Sequence, residues 1–164
     1  MNTYIISMNT FNKIDDVCNI AHKWTSSDRI NWDEYYMCLA VITATRSTCS
    51  RLHVGCVLVK DNRVVSMGYN GYPTGEEHRS IIRTDVDGKP HEMATIHAEQ
   101  NAICHGASSG ISLKGATAYV THYPCLTCAK LLVSCGISNI KYHEDYNNDP
   151  LVCQICTHAI LQKI

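Results

Sequence analysis

The spacing at which hydrophobic residues recur changes several times along the chain, and each change predicts a new structural element. Four short runs rich in β-branched and aromatic residues predict strands, and they lie at 54–59, 64–69, 117–121 and 140–142. The pair Asp61-Asn62 separates the first two runs, so these strands are expected to form a hairpin. Stretches with helical periodicity predict helices that begin near Asn31, Thr95, Pro124 and Pro150.

The order of these elements predicts the fold class and the domain organisation. After the first helix and the hairpin, helices alternate with strands, which favours an α/β fold with helices on both faces of a mixed sheet. The segment 72–94 carries Pro, Gly and charges without a sustained period and is predicted to be a long loop. Residues 1–30 are interpreted as an N-terminal extension, either a loose helix, an oligomer contact or disorder, before one domain over 31–164.

Composition and charge narrow the class of protein. The chain has 164 residues, a formal net charge of -1 and no block of Lys or Arg, which argues against nucleic-acid binding and favours a small-molecule substrate. No apolar run approaches the ~20 residues that span a bilayer. The first residues lack the pattern of a secretory signal, so the ten cysteines are interpreted as metal ligands or buried thiols. We expect a soluble, cytoplasmic protein without a membrane partner.

Two short motifs carry the candidate chemistry, His97-Ala98-Glu99 and Pro124-Cys125-Leu126-Thr127-Cys128. One imidazole and two thiolates provide three ligands for a tetrahedral zinc and leave the fourth position open, as in catalytic zinc sites. Cys125 and Cys128 are expected on one face of a helix near its N-terminus, where the helix dipole favours thiolates. Glu99 is expected close to the metal without binding it.

The combination of H-x-E with P-C-x-x-C is typical of zinc deaminases that act on cytosine or adenine. In that chemistry zinc activates a water molecule that attacks the amine-bearing ring carbon, and the glutamate transfers protons. For either motif alone, a structural zinc is the preferred interpretation, with His97 an ordinary polar residue. A non-catalytic zinc-binding interaction module is therefore the alternative from a different class. Glu99 argues against it, because a structural site has no use for a carboxylate beside an open metal position.

A third CxxC pair, Cys153 and Cys156, lies in an apolar stretch that also contains Ile160 and Leu161. Free cysteine behaves as a small buried hydrophobe, so this stretch is interpreted as one helix packed on the core. His122 flanks the second zinc motif and is interpreted as structural or pocket-lining, because the three-ligand set is already complete.

Longer stretches around the zinc motifs resemble the deoxycytidylate (dCMP) deaminases of the cytidine deaminase superfamily, from about Trp32 to about Ala159. The similar stretches include Val54-Gly55-Cys56, Gly68-Tyr69-Asn70-Gly71, His97 to Ile103 and Tyr119 to Cys125. Glu144-Asp145-Tyr146 is similar to the bacterial late-competence branch of that family. The resemblance implies a three-layer α/β/α sandwich with a five-stranded mixed sheet. It also implies hydrolysis of dCMP to dUMP and ammonia, which supplies dUMP for thymidylate synthesis.

The resemblance implies roles for single residues as well. It makes His97, Cys125 and Cys128 the zinc ligands and Glu99 the proton shuttle. Asn70 matches the asparagine that contacts the sugar hydroxyl, with Asn-Gly turn chemistry as the alternative. Tyr146 is expected near the sugar or phosphate, with an exposed loop aromatic as the alternative.

Some members of the family hold a second, structural zinc, and Cys49, His78 and His91 fall at comparable places in this chain. Arg79 and Glu92 stand where the competence branch has cysteine, which weakens the ligand set, because structural sites want four ligands. An ordinary thiol and solvated loop histidines are the alternative.

The resemblance also implies partners and regulation. Members are often homohexamers, and many are activated by dCTP and inhibited by dTTP, with Mg²⁺ accompanying the allosteric nucleotide. The alternative substrate choices are dCTP together with dCMP, or free cytidine.

Overall fold

The structure is a computed structural model that describes residues 12–26, 29–84, 86, 88 and 90–164. Contacts divide the chain into two compact units, 1–32 and 33–164. The helices are α1 (Asn12–Ser26), α2 (Trp32–Ala44), α3 (Ala98–Ser108), α4 (Leu126–Ser134) and α5 (Pro150–Ile155). The strands are β1 (Gly55–Lys60), β2 (Arg63–Tyr69), β3 (Ile82–Thr84), β4 (Pro90–Glu92), β5 (Thr117–His122), β6 (Asn139–Glu144) and β7 (Ile160–Lys163).

The predicted N-terminal extension contains one described element, the helix α1. The remainder of its sequence at 1–11 and 27–28 lies outside the described residues. None of the helices within the described ranges is both long and apolar enough to cross a membrane.

Within the described residues, five strands form one mixed sheet in the order β2-β1-β5-β6-β7. The predicted hairpin of β1 and β2 is antiparallel, and β1 also pairs antiparallel with β5. The pairs β5–β6 and β6–β7 are parallel, with the crossovers made by α4 and α5. The predicted five-stranded mixed sheet is confirmed.

Alternate residues of the central strand β1 point into two separate cores. Cys56 and Leu58 belong to a cluster that includes Ala102 of α3 and Leu132 of α4. The intervening Val57 and Val59 belong to a second cluster with Tyr36 and Ala40 of α2. A strand buried on both faces loses the alternation of apolar and polar residues, which explains its continuous apolar run. The sheet therefore lies between α2 and a layer of α3, α4 and α5, which confirms the three-layer sandwich.

Gly68 of β2 sets how closely α3 approaches the sheet. A Cβ atom built at this position would lie 2.3 Å from the backbone nitrogen of Ala102 and 2.5 Å from the carbonyl oxygen of Ala98. Only glycine allows the strand and the helix backbone to approach at this distance. Because α3 follows directly on His97, this contact also sets the distance between the His97-Ala98-Glu99 motif and the sheet.

The prediction of a single C-terminal helix that includes Ile160 and Leu161 was wrong. The predicted single helix ends at Ile155, and Ile160 begins β7, which pairs in parallel register with Asn139 of β6. Ile160 N–H donates to the Ser138 carbonyl at 3.0 Å, and Leu161 packs against the larger core. A short apolar run fits both the helical period of 3.6 residues and the strand period of 2 residues. The sequence pattern therefore did not distinguish a helix from a strand here.

The predicted loop 72–94 also contains regular structure. Strands β3 and β4 pair antiparallel, with Arg83 opposite His91. Residues 85, 87 and 89, between the two strands in sequence, lie outside the described residues. Both strands are largely exposed, so no apolar alternation marks them in the sequence.

Candidate active site

Three chain segments meet at one edge of the sheet. β5 ends at His122 and leads to Cys125, while β2 ends at Tyr69 and leads to Asn70. The third segment, at Ile96 and His97, is tied to the second by a β-bridge between Gly71 and Ile96. β2 and β5 run in the same direction on either side of the antiparallel β1, so their carboxyl ends reach the same edge of the sheet. Open α/β sheets bind ligands outside the carboxyl ends of their strands.

The two zinc motifs lie at helix N-termini, as predicted, but each helix begins later than expected. α3 begins at Ala98 and not near Thr95, so His97 is the N-cap residue, with its backbone N–H donating to Gln100 Oε1 at 2.9 Å. α4 begins at Leu126, and Cys125 is its N-cap residue. Cys125 Sγ accepts a hydrogen bond from the Cys128 N–H at 3.5 Å. An N-cap side chain folds back over the first turn, which brings Cys125 and Cys128 together.

The three predicted ligand atoms have the spacing that a tetrahedral zinc requires. His97 Nδ1 lies 3.5 Å from Cys125 Sγ and 3.4 Å from Cys128 Sγ. Zn–S bonds of about 2.3 Å and Zn–N bonds of about 2.0–2.1 Å at tetrahedral angles put nitrogen and sulfur about 3.6 Å apart. Among the described residues, this is the one group of three or more His, Cys, Asp or Glu side chains that could hold a metal ion.

The charges of the two thiols are unequal without a metal. Hydrogen bonding from the Cys128 thiol, with further help from His97 and the Cys128 N–H, lowers the pKa of Cys125 to about 4. The hydrogen bond to Cys125 and burial raise the pKa of Cys128. The pair therefore holds one negative charge. A divalent cation would favour loss of the second proton, because metal ligands bind as thiolates.

Glu99 lies in the first turn of α3 and is 4% exposed. It lines the same cleft as His97 and Cys125. Burial raises the pKa of its carboxyl group above the ordinary value. The raised pKa moves this carboxyl group toward the range in which a side chain can act as a general acid and base.

The cleft beside these residues holds about 650 Å³, part of it open to solvent. Its wall includes apolar side chains and a single cation, Arg51, among the described residues that line it. The lining residues outside the zinc motifs are Cys49, Arg51, Leu52, Val54, Asn70, Glu92, Thr95, His122, Tyr123 and Tyr146. Arg51 and Tyr123 were not predicted as site residues. Arg51 lies in a loop before β1, where no periodicity or spacing distinguishes it from other surface cations.

Asn70 lines the cleft, but its side chain also supports the loop before β1. Its Oδ1 accepts from the Val54 N–H and its Nδ2 donates to the Leu52 carbonyl, both at 2.7 Å. Tyr146 follows β6 at the rim of the cleft and is 43% exposed. The expected contact of Tyr146 with the sugar or phosphate stays a prediction. So does the expected contact of Asn70 with the sugar hydroxyl.

The residues predicted for a second zinc are not brought together. The ring of His78 stacks on Tyr72 with centroids 4.9 Å apart, while Cys49 is buried in the wall of the catalytic cleft. His91 lies in β4, and the neighbouring Glu92 carboxylate accepts from the N–H groups of Ile81 and Ala94. The geometry therefore gives this ligand set no support.

Three ligand groups spaced for a tetrahedral metal, beside a buried carboxyl group in an α/β/α sandwich, are typical of the zinc hydrolases that remove amino groups from heterocycles. The family model for the cytidine and deoxycytidylate deaminase zinc-binding region matches residues 30–144. The chain belongs to this family.

Individual relatives agree with the family. ComE operon protein 2 of Bacillus subtilis (strain 168) is 39% identical over 135 residues, which cover 80% of this chain and 69% of that protein. The deoxycytidylate deaminase of Saccharomyces cerevisiae is 36% identical over 131 residues, 74% of this chain and 40% of the yeast protein. The chain thus spans less than half the length of the yeast relative.

A solved structure shares the fold. The dCMP deaminase from the cyanophage S-TIM5, in complex with dCMP and dUMP, superposes with a TM-score of 0.69 at 30% identity. The superposition covers 80% of this chain and 95% of the phage protein.

Proposed function

We propose that the protein catalyses the hydrolysis of dCMP to dUMP and ammonia. The observation that carries this proposal is the buried Glu99 carboxyl beside the group of His97, Cys125 and Cys128. The names of the yeast and cyanophage relatives, both deaminases of this nucleotide, support the choice of substrate.

The imidazole of His97 and the thiolates of Cys125 and Cys128 would hold a zinc ion, which would act as a Lewis acid and lower the pKa of a water molecule toward neutrality. Glu99 takes a proton from the attacking water and delivers it to N3 of the cytosine ring. It then takes the proton of the new hydroxyl group at C4 and passes it to the amino group, so that the C4–N bond breaks and ammonia leaves while C4 becomes a carbonyl. Burial raises the pKa of the Glu99 carboxyl group, which favours its uptake of a proton relative to an exposed glutamate.

The rest of the cleft fits a nucleoside monophosphate. Leu52 and Val54 offer an apolar wall for a pyrimidine ring, whereas Arg51 offers a guanidinium for a phosphate group. Arginine binds phosphate through paired charge-assisted hydrogen bonds. The cation therefore favours dCMP over deoxycytidine or cytidine.

Supply of dUMP to thymidylate synthesis, regulation by dCTP with Mg²⁺ and by dTTP, and assembly into a homohexamer belong to the same proposal. Their support is the sequence resemblance described above. Residues for an effector pocket are not assigned.

Ammonia release from the purified, zinc-loaded protein tests the proposal. dCMP, dCTP, deoxycytidine and cytidine are offered separately, each with and without dCTP or dTTP as effector. We expect dCMP to be the preferred substrate, with turnover raised by dCTP and lowered by dTTP. If zinc is bound at one ion per chain and no substrate is deaminated, the proposed function is wrong and a binding role replaces it. Equal turnover of dCTP and dCMP would instead identify the broader deaminase.

A further inference from the structure

His122 is a cleft residue to which the deamination steps above give no role. It ends β5 and lines both the catalytic cleft and a second cleft on its other side. The second cleft includes Thr121, His53 and Glu144 in its wall. The His122 ring meets the Tyr146 ring edge-on, with 6.2 Å between centroids, at the rim of the catalytic cleft.

The neighbouring Thr121 makes a hydrogen bond to this ring. Thr121 is 5% exposed, and its Oγ1 accepts from the Gly55 N–H at 3.2 Å. The same oxygen lies 2.9 Å from His122 Nδ1. A hydroxyl has one hydrogen and two lone pairs, and the Gly55 N–H takes one of the lone pairs. The hydroxyl hydrogen can be directed to His122 Nδ1, and a bond in this direction pairs both groups.

An imidazole that accepts a hydrogen bond at Nδ1 carries its proton at Nε2 while it is neutral. Burial lowers the pKa of His122; Glu144 opposes this shift and His143 adds to it. The ring is therefore neutral near pH 7. Thr121 engages the Nδ1 edge, so Nε2 is the ring nitrogen that remains for a ligand of the cleft that His122 lines.

We propose that Thr121 holds His122 as a neutral Nε2–H donor, and that this N–H binds an oxygen atom of the nucleotide in the catalytic cleft. His122 is then a substrate-binding residue and Thr121 a positioning residue. The proposal rests on the proposed function, because the nucleotide is the substrate of that reaction. Two oxygens have the required chemistry, a carbonyl oxygen of the base and a phosphate oxygen, and kinetics on two substrates separate them.

The kinetic test uses full-length, zinc-loaded protein with dCMP and deoxycytidine as substrates. His122→Phe keeps an aromatic ring beside Tyr146 and removes the donor, whereas His122→Gln returns an amide N–H near the position of Nε2. A neutral hydrogen bond predicts a fall in kcat/KM of roughly 3- to 10-fold for His122→Phe, mainly through KM, and partial recovery in His122→Gln. A fall on both substrates assigns the contact to the nucleoside, and a fall on dCMP alone assigns it to the phosphate. Unchanged kinetics of His122→Phe on both substrates would overturn the proposal.

The tautomer is measured independently by ¹⁵N NMR of the histidine rings at pH 7, with His122 identified by its absence in His122→Phe. We expect a protonated Nε2 and an unprotonated Nδ1. Thr121→Ser keeps the hydroxyl and should preserve this pattern, whereas Thr121→Val should let the ring populate both tautomers and raise KM. A wild-type ring protonated at Nδ1 contradicts the proposal even if Thr121→Val fails to fold. If the wild-type protein deaminates neither substrate, the proposed function fails first, and the NMR result still decides the role of Thr121.

Discussion

Substitution of Gly68 by alanine is expected to damage the catalytic site from a distance. The added Cβ would lie 2.3 Å from the Ala102 nitrogen, more than 1 Å inside the ordinary contact range of 3.4–4 Å. Both close neighbours belong to the backbone of α3, so no side chain can rotate away and the helix itself must move. Overpacking of this kind typically costs about 1–3 kcal/mol of unfolding free energy.

The same displacement carries His97 and Glu99, since both lie at the N-terminus of α3, while Cys125 and Cys128 stay with α4. A misplacement of about 1 Å in a catalytic arrangement can cost roughly 10²-fold in rate. We therefore expect Gly68→Ala to lower both thermal stability and kcat/KM for dCMP, and to weaken zinc retention. The assays are thermal denaturation, ammonia release and metal analysis of the same preparation.

Gly106→Ala is the matched control on the same helix. Its added Cβ would meet the end of the Leu113 side chain at 3.0 Å, and its three nearest atoms all belong to that side chain, so a small side-chain shift accommodates it. Alanine also favours the helix by about 1 kcal/mol, so stability and activity should stay near wild type. If Gly68→Ala retained wild-type stability and kcat/KM, the contact between β2 and α3 would not position the site.

Three further substitutions test the proton carrier, the phosphate contact and a charged network on the other face of the sheet. Glu99→Gln should retain zinc and fold while turnover falls about 10²- to 10⁴-fold, and unchanged turnover would remove Glu99 from the mechanism. Arg51→Ala should lower kcat/KM roughly 10- to 100-fold for dCMP and leave deoxycytidine unaffected; an equal loss on both would exclude a phosphate contact. Burial raises the pKa of Asp33, but hydrogen bonds from Lys141 and Tyr119 outweigh it and lower the pKa below the ordinary value. Asp33 therefore contributes to the free energy of unfolding above the pKa of about 3.9 that it has in the unfolded chain. This contribution is lost as the pH falls through the lower pKa that Asp33 has in the folded protein. Urea unfolding of Asp33→Asn should show a deficit of at most about 1 kcal/mol near pH 7 that shrinks below pH ~4, and a deficit that grew on acidification would contradict this assignment.

The sequence was most informative where the chemistry constrains spacing. His97, Cys125 and Cys128 were predicted from residue type and interval, because a tetrahedral ion accepts few arrangements. The strands of the hairpin were recognised because their residues are apolar and β-branched over enough length to show a period. Both features are local, so they are visible before the chain is folded.

Features that depend on distant partners were missed. The segment that begins at Ile160 forms a strand because it pairs with the edge of β6. The local sequence contains no information about that distant partner. α3 begins later than predicted because His97 is its N-cap residue. Hydrophobic periodicity cannot locate the first residue of a helix that closely. Arg51 acquires its place in the cleft only when the loop before β1 is anchored by Asn70.

The ligand atoms come from two segments far apart along the chain. His97 and Cys125 are separated by 28 positions, and His97 and Cys128 by 31. An ion that binds both segments closes that stretch into a loop, which by the chain-entropy estimate for crosslinks of this length restricts the unfolded ensemble by about 3–4 kcal/mol. A bound metal would thus act as a reversible crosslink between the N-termini of α3 and α4, and its removal would lower the free energy of unfolding of the domain.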